Sequence, residues 1–412
     1  MKICVIGLGY IGLPTSAMFA CNGHQVLGVD VNPRTVEALN QGEILIEEPG
    51  LAELVRRSVE EGSLRAGAVP RAADVFIIAV PTPITAEKGA DMSYVKAATE
   101  SIVPYLSAGN LVILESTSPV GTVEELMLPI LARSGLMPGR DLFVGHSPER
   151  VIPGQILREL VENSRIAGGV NQESARRIAE LYRCFVKGEI HETTAATAEL
   201  CKLAENTYRD VNIAFANELA KICESLGVNV WEVIRLCNKH PRVNIHQPGP
   251  GVGGHCIAVD PWFIAEKRPQ LARIIRLSRE TNDSMPLYVL GRIEGILDGI
   301  NSPRICVLGV TYKPDVDDLR ESPILELIEL LKARGLETRA YDPFVKGRPE
   351  ISNDLMEAAS GSDLLVLGVH HREFARLPFP RLAAVMRTPQ LLDTRNFAAA
   401  EEAEAAGFRC WL

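Results

Sequence analysis

Four glycines lead into a cysteine in Gly249-Pro250-Gly251-Val252-Gly253-Gly254-His255-Cys256, and a carboxylate, Asp260, follows four residues later. A glycine-rich loop lets the backbone approach a ligand closely, because no side chain intervenes. A cysteine delivered by such a loop is a candidate nucleophile, since its thiolate is intrinsically reactive. Asp260 is expected about one helical turn away, on the same face. The competing description is a tight turn around a small packed thiol.

A second stretch has the residues to hold a phosphate. The apolar run Lys2 to Ile6 is followed by Gly7-Leu8-Gly9-Tyr10-Ile11-Gly12 and then by a helical pattern from Leu13 to Ala20. A second apolar run, Gln25 to Val29, ends in Asp30. Strand, glycine turn, helix, strand and acid in that order describe a dinucleotide site. The glycines permit a tight turn, a pyrophosphate rests on the helix N-terminus, and the acid bonds a ribose 2′-hydroxyl. A carboxylate at Asp30 repels a 2′-phosphate, so NAD is expected over NADP. The cofactor candidates here are Gly7, Gly9, Tyr10, Ile11, Gly12, Asp30 and Arg34.

Further elements must position these groups. Val75 to Val80 reads as a buried strand ending at Pro81-Thr82-Pro83, and Leu111 to Leu114 as another, leading to Thr117. Phe143 to Gly145 leads into His146-Ser147-Pro148-Glu149-Arg150. Ligands of parallel sheets sit beyond the carboxyl ends of the strands. Thr82, Thr117 and Glu149 are therefore expected on the nicotinamide side, with ordinary turn chemistry the alternative for the two threonines. From Thr193 to Leu226 the pattern is helical, with Leu200, Leu203, Ala204, Thr207, Val211, Phe215, Leu219, Ile222 and Leu226 forming an apolar seam. Thr193, Thr194 and Thr197 are candidate caps. Lys202 and Asn206 lie four apart and share a face, either as part of a solvated stripe or beside a substrate.

The last third repeats the opening pattern. Arg304 to Val310 reads as a strand, followed by a loop with Tyr312, Lys313 and Arg320, and Ser322-Pro323 begins a helix through Leu331. Strands follow at Glu337 to Tyr341, Leu364 to Leu367 and Gln390 to Leu392, the last leading to Arg395. The fold expected is α/β, with two doubly wound Rossmann-like domains joined by a long central helix. The second domain lacks the glycine fingerprint, but its cations suit a phosphorylated ligand.

Composition narrows the partners. The 412 residues are 46% hydrophobic, enough for two or three cores, and the net charge is -9. An acidic balance argues against nucleic acid or an anionic membrane. No run approaches the ~20 apolar residues of a membrane span, and Met1 to Ile6 reads as a strand rather than a leader. Nine cysteines occur with no CxxC pair and no zinc spacing, so no metal is expected. Most are expected as reduced core thiols of a cytoplasmic protein.

Together these residues resemble the UDP-glucose/GDP-mannose 6-dehydrogenase family over essentially the whole chain. The run Gly253-Gly254-His255-Cys256-Ile257-Ala258-Val259-Asp260-Pro261-Trp262-Phe263-Ile264 is similar to the UDP-N-acetylmannosamine branch. The resemblance implies an NAD-binding domain over 1–192, a central helical domain carrying the cysteine loop over 193–298, and a UDP-sugar domain over 299–412. It implies Cys256 as the nucleophile with Lys202, Asn206 and Asp260 around it, and Glu149 as an acid/base or water-handling group. Arg150 and Val151 would line the sugar pocket, Gly253 and Arg209 would meet the substrate, and His240 and Arg242 would enter a neighbouring subunit's site. Tyr312, Lys313 and Arg395 would touch the UDP part, and Arg320 the cofactor. Gln155 departs from the pattern, and contacts after Pro153 stay unassigned.

The reaction so implied oxidises the sugar's C6 alcohol to a carboxylate with two NAD, through a thiohemiacetal and a thioester on Cys256. UDP-N-acetyl-D-mannosamine is the expected substrate and a surface-polysaccharide precursor the expected product. UDP-N-acetylglucosamine or UDP-glucose would serve the same chemistry. A thiol has a pKa of about 8.5; loop N–H groups, Lys202 or His255 would raise its thiolate fraction. Asp260 or Glu149 would activate water. A two-electron dehydrogenase of the 3-hydroxyacid type would need neither the cysteine nor the second nucleotide fold. A non-catalytic sensor of NAD and nucleotide sugar would leave the cysteine without work. A homodimer or higher oligomer is expected.

Overall fold

The computed structural model describes residues 1–85 and 88–412. The chain forms two compact units, Met1–Glu205 with Trp262–Pro269, and Asn206–Pro261 with Gln270–Leu412.

The first unit is built on an eight-stranded sheet. Its strands are β1 (Lys2–Ile6), β2 (Gln25–Val29), β3 (Leu64–Gly67), β4 (Val75–Ile78), β5 (Leu111–Leu114), β6 (Phe143–His146), β7 (Arg165–Gly169) and β8 (Ile190–Thr194). They lie in the order β3-β2-β1-β4-β5-β6-β7-β8. Six strands in that order make the doubly wound dinucleotide arrangement, with its switch point between β1 and β4. All pairs are parallel except β6 with β7, where Gly145 opposes Gly169 and His146 opposes Gly168. Alternation along β1 sends Ile3 and Val5 into one core with Leu13, Phe19 and Tyr182. It sends Cys4 and Ile6 into the opposite core with Val95, Val112 and Val123. The sheet is thus covered on both faces, which is why its central strands read as continuous apolar runs.

The second unit carries five parallel strands, β9 (Arg304–Leu308), β10 (Glu337–Tyr341), β11 (Leu364–Leu367), β12 (Gln390–Asp393) and β13 (Arg409–Trp411), in the order β10-β9-β11-β12-β13. Ser322 accepts from the N–H groups of Ile324 and Leu325 and caps the helix Pro323–Ala333. The two α/β units share one device at the end of their second strand. Asp30 Oδ2 accepts the Leu8 N–H at 2.9 Å, and Asp342 Oδ2 accepts the Val310 N–H at 2.8 Å. Asp30 is half-buried, whereas Asp342 is sealed beneath His371, 3.1 Å from its Nε2. The acid that would hold a ribose in the second unit is therefore occupied by the protein itself.

The long helix runs from Ala195 to Leu226, 32 residues, or about 48 Å at 1.5 Å per residue. It starts two residues later than the sequence suggests, because Thr193 and Thr194 belong to β8, paired with Gly168 and Gly169. Thr194 is the cap, its Oγ1 accepting the Thr197 N–H at 3.2 Å. The apolar seam is also corrected. Leu203 and Thr207 are buried, but Leu200, Ala204, Phe215, Ile222 and Leu226 are exposed. The inward positions include the polar residues Asn206, Asp210 and Asn217, whose partners come from elsewhere in the second unit.

Candidate active site

In the first unit the glycines of the opening loop divide by purpose. Gly7 has φ +96°, and a Cβ there would overlap the Ala79 carbonyl. A Cβ at Gly12 would overlap the Gly7 carbonyl. Both are demanded by the fold. Gly9 has nothing within 4 Å of its Cβ position, so it is the glycine that leaves room for a ligand. No side chain caps the N-terminus of the helix Gly12–Cys21, which suits an anion. Asp30 holds the Leu8 and Asn32 N–H groups, one on each carboxylate oxygen, and this fixes the acid at the carboxyl end of β2. These residues fit a dinucleotide. Tyr10 and Arg34 are exposed and Ile11 is half-buried. Thr82 Oγ1 donates to the Thr117 carbonyl at 2.7 Å, so the loops after β4 and β5 meet as the sheet topology requires.

Behind them lies a buried ionic cluster. Glu149 is 9% exposed and Arg165 is 4% exposed. Arg165 Nε donates to Ser147 Oγ at 2.9 Å, Nη1 to Glu149 Oε2 at 2.7 Å and Nη2 to Glu115 Oε1 at 2.6 Å. Its guanidinium carbon lies 3.7 Å from the centre of the Tyr182 ring. Tyr182 Oη donates to the same Glu115 oxygen at 2.5 Å, and Thr15 Oγ1 to the other at 3.2 Å. Burial pushes the Glu115 carboxyl up, against the opposing pull of Arg165. Burial also works against the Arg165 charge, but Glu149, Tyr182 and Glu115 outweigh it and hold the guanidinium above its usual range. His146, fully buried at the end of β6, is pushed down to about 3 by desolvation.

The neighbouring expected residues are placed as follows. Arg150 is tied to Glu205 at 2.9 Å and to the Ser164 carbonyl, and Val151 packs half-buried on the core. Lys202 is half-buried on the long helix. One turn earlier, Glu199 accepts the N–H groups of Gly121 at 2.6 Å and Val123 at 2.9 Å. Its burial pushes its pKa up to about 7 in spite of those bonds.

In the second unit the cysteine loop is clamped. Cys256 is half-buried, and its carbonyl accepts the N–H groups of Val259 at 3.0 Å and Asp260 at 2.8 Å. The turn so formed carries Asp260, buried at the start of the helix Asp260–Lys267, one turn from the sulfur-bearing residue. Asp260 Oδ2 accepts from Asn206 Nδ2 at 2.5 Å.

The glycines of this loop bring the backbone close to the rest of the chain. A Cβ at Gly251, where φ is +130°, would lie 2.8 Å from Pro323 Cβ. At Gly253 it would lie 2.9 Å from Pro323 Cδ and from Tyr312 Cβ, and closer still to the Glu321 carbonyl oxygen. At Gly254, where φ is +83°, it would lie 2.7 Å from the Tyr312 ring. The Gly254 N–H donates to the Arg320 carbonyl at 3.1 Å.

The other end of the loop is held by a polar relay. The Gly249 N–H donates to Asn217 Oδ1 at 2.9 Å, and Asn217 Nδ2 donates to Asn282 Oδ1 at 2.8 Å. Asn282 Nδ2 and Arg279 Nη1 both donate to Asp210 Oδ1, at 2.8 and 2.6 Å.

Of the remaining expected contacts, Tyr312 and Lys313 are half-buried, while Arg209, His240 and Arg242 are exposed. Arg320 is exposed with its guanidinium on Asp318. Arg395 is half-buried; loss of solvent around its guanidinium pushes it down to about 10, and Asp393 opposes this. Its Nε donates to the Gly368 carbonyl at 3.3 Å. Sequence reasoning missed Arg165, Glu115, Tyr182, Asn217 and Asn282. Arg165 alone left a local signal, a charge opening the small and apolar strand Arg165-Ile166-Ala167-Gly168-Gly169.

Comparison with known proteins adds an independent line. Models of the UDP-glucose/GDP-mannose dehydrogenase family match the NAD binding domain at residues 1–186, the central domain at 196–284 and the UDP binding domain at 306–400. The chain is 46% identical over 417 residues to a UDP-N-acetyl-D-mannosamine dehydrogenase of Methanocaldococcus jannaschii, covering 100% of this chain and 96% of that one. It is 47% identical to an NDP-N-acetyl-D-galactosaminuronic acid dehydrogenase of Ralstonia nicotianae, covering 98% and 97%. Among solved structures, the UDP-N-acetyl-mannosamine dehydrogenase of S. aureus superposes with a TM-score of 0.91 at 47% identity, covering 99% and 97%.

Proposed function

The chain belongs to the UDP-glucose/GDP-mannose dehydrogenase family of NAD-dependent UDP-sugar oxidoreductases, and from that premise we propose that it oxidises C6 of UDP-N-acetyl-D-mannosamine to the carboxylate through Cys256. The names of two similar proteins support the sugar. The observation that carries the chemistry is the buried Asn206–Asp260 pair, built onto the turn whose carbonyl belongs to Cys256.

The residues divide the work in sequence. A base takes the C6 hydroxyl proton as the alcohol becomes an aldehyde. The Cys256 thiolate adds to that aldehyde and retains it as a thiohemiacetal, whose oxidation gives a thioester. NAD, when bound, supplies the hydride acceptor for each two-electron stage. An amide nitrogen carries two N–H donors; Asn206 gives one to Asp260 and offers the other to the C6 oxygen. Lys202 stabilises the same developing oxyanion, where a preorganised donor acts most strongly. Glu149 handles the proton of the water that cleaves the thioester, with Asp260 the alternative base.

Gly7, Gly9, Gly12, Tyr10, Ile11, Asp30, Arg34, Thr82, Thr117 and Arg320 serve the cofactor in this reading. Arg150, Val151, Arg209, Gly253, Tyr312, Lys313 and Arg395 serve the UDP-sugar, with His240 and Arg242 supplied across a subunit boundary. The functional division is 1–192, 193–298 and 299–412. The exposed Leu200, Tyr208, Phe215 and Ile222 of the long helix support a homodimer or larger assembly. Nine cysteines with no disulfide among the described residues support a cytoplasmic setting. Among the described residues no helix is long and apolar enough to cross a membrane.

The relative from Ralstonia nicotianae supports a second reading, an N-acetylgalactosamine-type sugar with the same chemistry. The test is the NADH yield from limiting UDP-N-acetylmannosamine, UDP-N-acetylgalactosamine, UDP-N-acetylglucosamine and UDP-glucose. Two NADH per UDP-N-acetylmannosamine and little from the others is expected. Two from another sugar overturns the substrate, and one NADH per sugar overturns the four-electron route.

A further inference from the structure

We propose that Arg165 is the positioning residue of the hydrolytic half-reaction. It holds Glu149 in the orientation from which Glu149 takes a proton from the attacking water, and Glu115 and Tyr182 in turn hold Arg165. The proposal rests on the reading of Glu149 as the water-handling group.

The geometry leaves Arg165 one pose. All three of its nitrogens are engaged, each by a different partner, and its flat face lies on Tyr182. The partners come from three places in the first unit: Glu115 after β5, Ser147 and Glu149 after β6, and Tyr182 at the end of the helix Gln172–Tyr182. A guanidinium fork so fixed transmits its position to whatever carboxylate it grips. Glu149 receives one donor on each oxygen, Arg165 Nη1 on Oε2 and the Arg150 N–H at 2.7 Å on Oε1. Two donors from two directions set the carboxylate plane. Each oxygen keeps a second acceptor direction, which is what a general base needs to meet a water. Glu115, wholly enclosed, accepts from Arg165, Tyr182 and Thr15 and so acts by holding Arg165 in place. Thr15 belongs to the helix that opens with the dinucleotide loop, so the cluster also fixes Glu149 relative to that loop.

In the step concerned, the water oxygen bonds to C6 and the C6–Sγ bond breaks. The sulfur leaves with its electron pair as the Cys256 thiolate, and one water proton passes to Glu149. No oxidant takes part, so a fault in Arg165 slows hydrolysis after both hydride transfers are complete.

The test is a rapid-mixing comparison of wild type with Arg165→Met, Arg165→Lys, Glu115→Gln and Glu149→Gln, with saturating NAD and UDP-sugar. Arg165→Met is expected to keep the first turnover, two NADH per active site, within about threefold of the wild-type rate. Its steady-state kcat is expected to fall about 10²-fold, the scale of general acid–base catalysis, while KM for UDP-sugar stays within about threefold and acyl-Cys256 accumulates in acid-quenched mass spectra. Arg165→Lys should recover part of kcat, since it restores the charge without the fork. If first turnover and kcat fall together in the Arg165 variants, or neither falls, the proposal is overturned. Glu149→Gln separates the two ideas: if it accumulates acyl-enzyme and the Arg165 variants do not, only the positioning role fails. If Glu149→Gln hydrolyses normally, the reading of Glu149 fails. Should Arg165→Met not fold, Arg165→Lys and Glu115→Gln decide by the same criterion, slowed hydrolysis after an intact first turnover.

Discussion

Gly253→Ala tests whether the clamp on the cysteine loop sets the position of Cys256. The added Cβ would sit 2.9 Å from Pro323 Cδ and Tyr312 Cβ, where ordinary contact begins near 3.4 Å, and nearer still to the Glu321 carbonyl. That wall has little freedom. Glu321 already has φ +49°, and Ser322 caps the helix that follows, with its hydroxyl donating to the Val310 carbonyl at 2.7 Å. The loop must therefore yield, by at least 0.5 Å against Pro323 and Tyr312 (3.4 minus 2.9 Å) and by more against the carbonyl. The Gly254–Arg320 hydrogen bond, next along the loop, would stretch with it. A shift of about 1 Å at a reacting group costs on the order of 10² in rate, or about 2.7 kcal/mol in the barrier. Overpacking costs about 1–3 kcal/mol of stability. The assay is kcat from NADH production at saturating substrates, beside thermal unfolding of the same preparations. The expected result is kcat lowered about 10²-fold. Wild-type kcat with an unchanged unfolding temperature would refute the reasoning, since the loop would then have accommodated a methyl that the structure has no room for.

Lys202→Ala should lower kcat by about 10²–10³, the scale of a lost oxyanion donor, and leave UDP-sugar affinity within a few-fold by calorimetry; a loss confined to affinity would return Lys202 to a solvated role. Asn217→Ala removes the acceptor of the buried Gly249 N–H and is expected to cost about 1–3 kcal/mol of stability, read by denaturant unfolding; a loss below a few tenths would mean that the relay does not hold the loop. Two buried groups give opposing pH limbs. His146, held at about 3, cannot take the proton that the unfolded chain takes below about 6.5, so its contribution makes stability fall as pH falls through that range, by up to ~1.4 kcal/mol per pH unit. Glu199, raised to about 7, stays protonated where the unfolded chain ionises, so its contribution makes stability fall as pH rises from about 4.5 to 7. His146→Gln should unmask the second slope and Glu199→Gln the first in unfolding curves between pH 4.5 and 6.5; parallel curves for both variants would contradict the assignment.

The local motifs were legible because their chemistry is local. Gly7 follows β1, Gly9 lies in the turn, Gly12 opens the helix and Asp30 follows β2, as their spacing demands. The Cys256–Asp260 interval is one hydrogen-bonded turn. What was not legible depends on partners distant in sequence. Thr193 looks like a helix start, but pairing with Gly168 draws it into β8. Asp210 and Asn217 sit on the buried face of the long helix because Arg279 and Asn282, more than 60 residues away, bond to them there. Apolar periodicity places such a face elsewhere, since it prices polar groups as if unpaired. Arg165 shows the same limit: Glu115 lies 50 residues from it and Glu149 lies 16. The glycines before Cys256 were legible as a close backbone approach, but the sequence does not show that Tyr312 and Pro323 are the groups they let in.

The most direct test of the account is turnover by Cys256→Ser, followed as UDP-sugar acid formed per enzyme, with UDP-sugar binding measured on the same protein. The account predicts binding within a few-fold of wild type and no net acid, because a serine hydroxyl lacks the thiolate that retains the aldehyde. Acid formation at the wild-type rate would contradict it and remove Cys256 from the reaction.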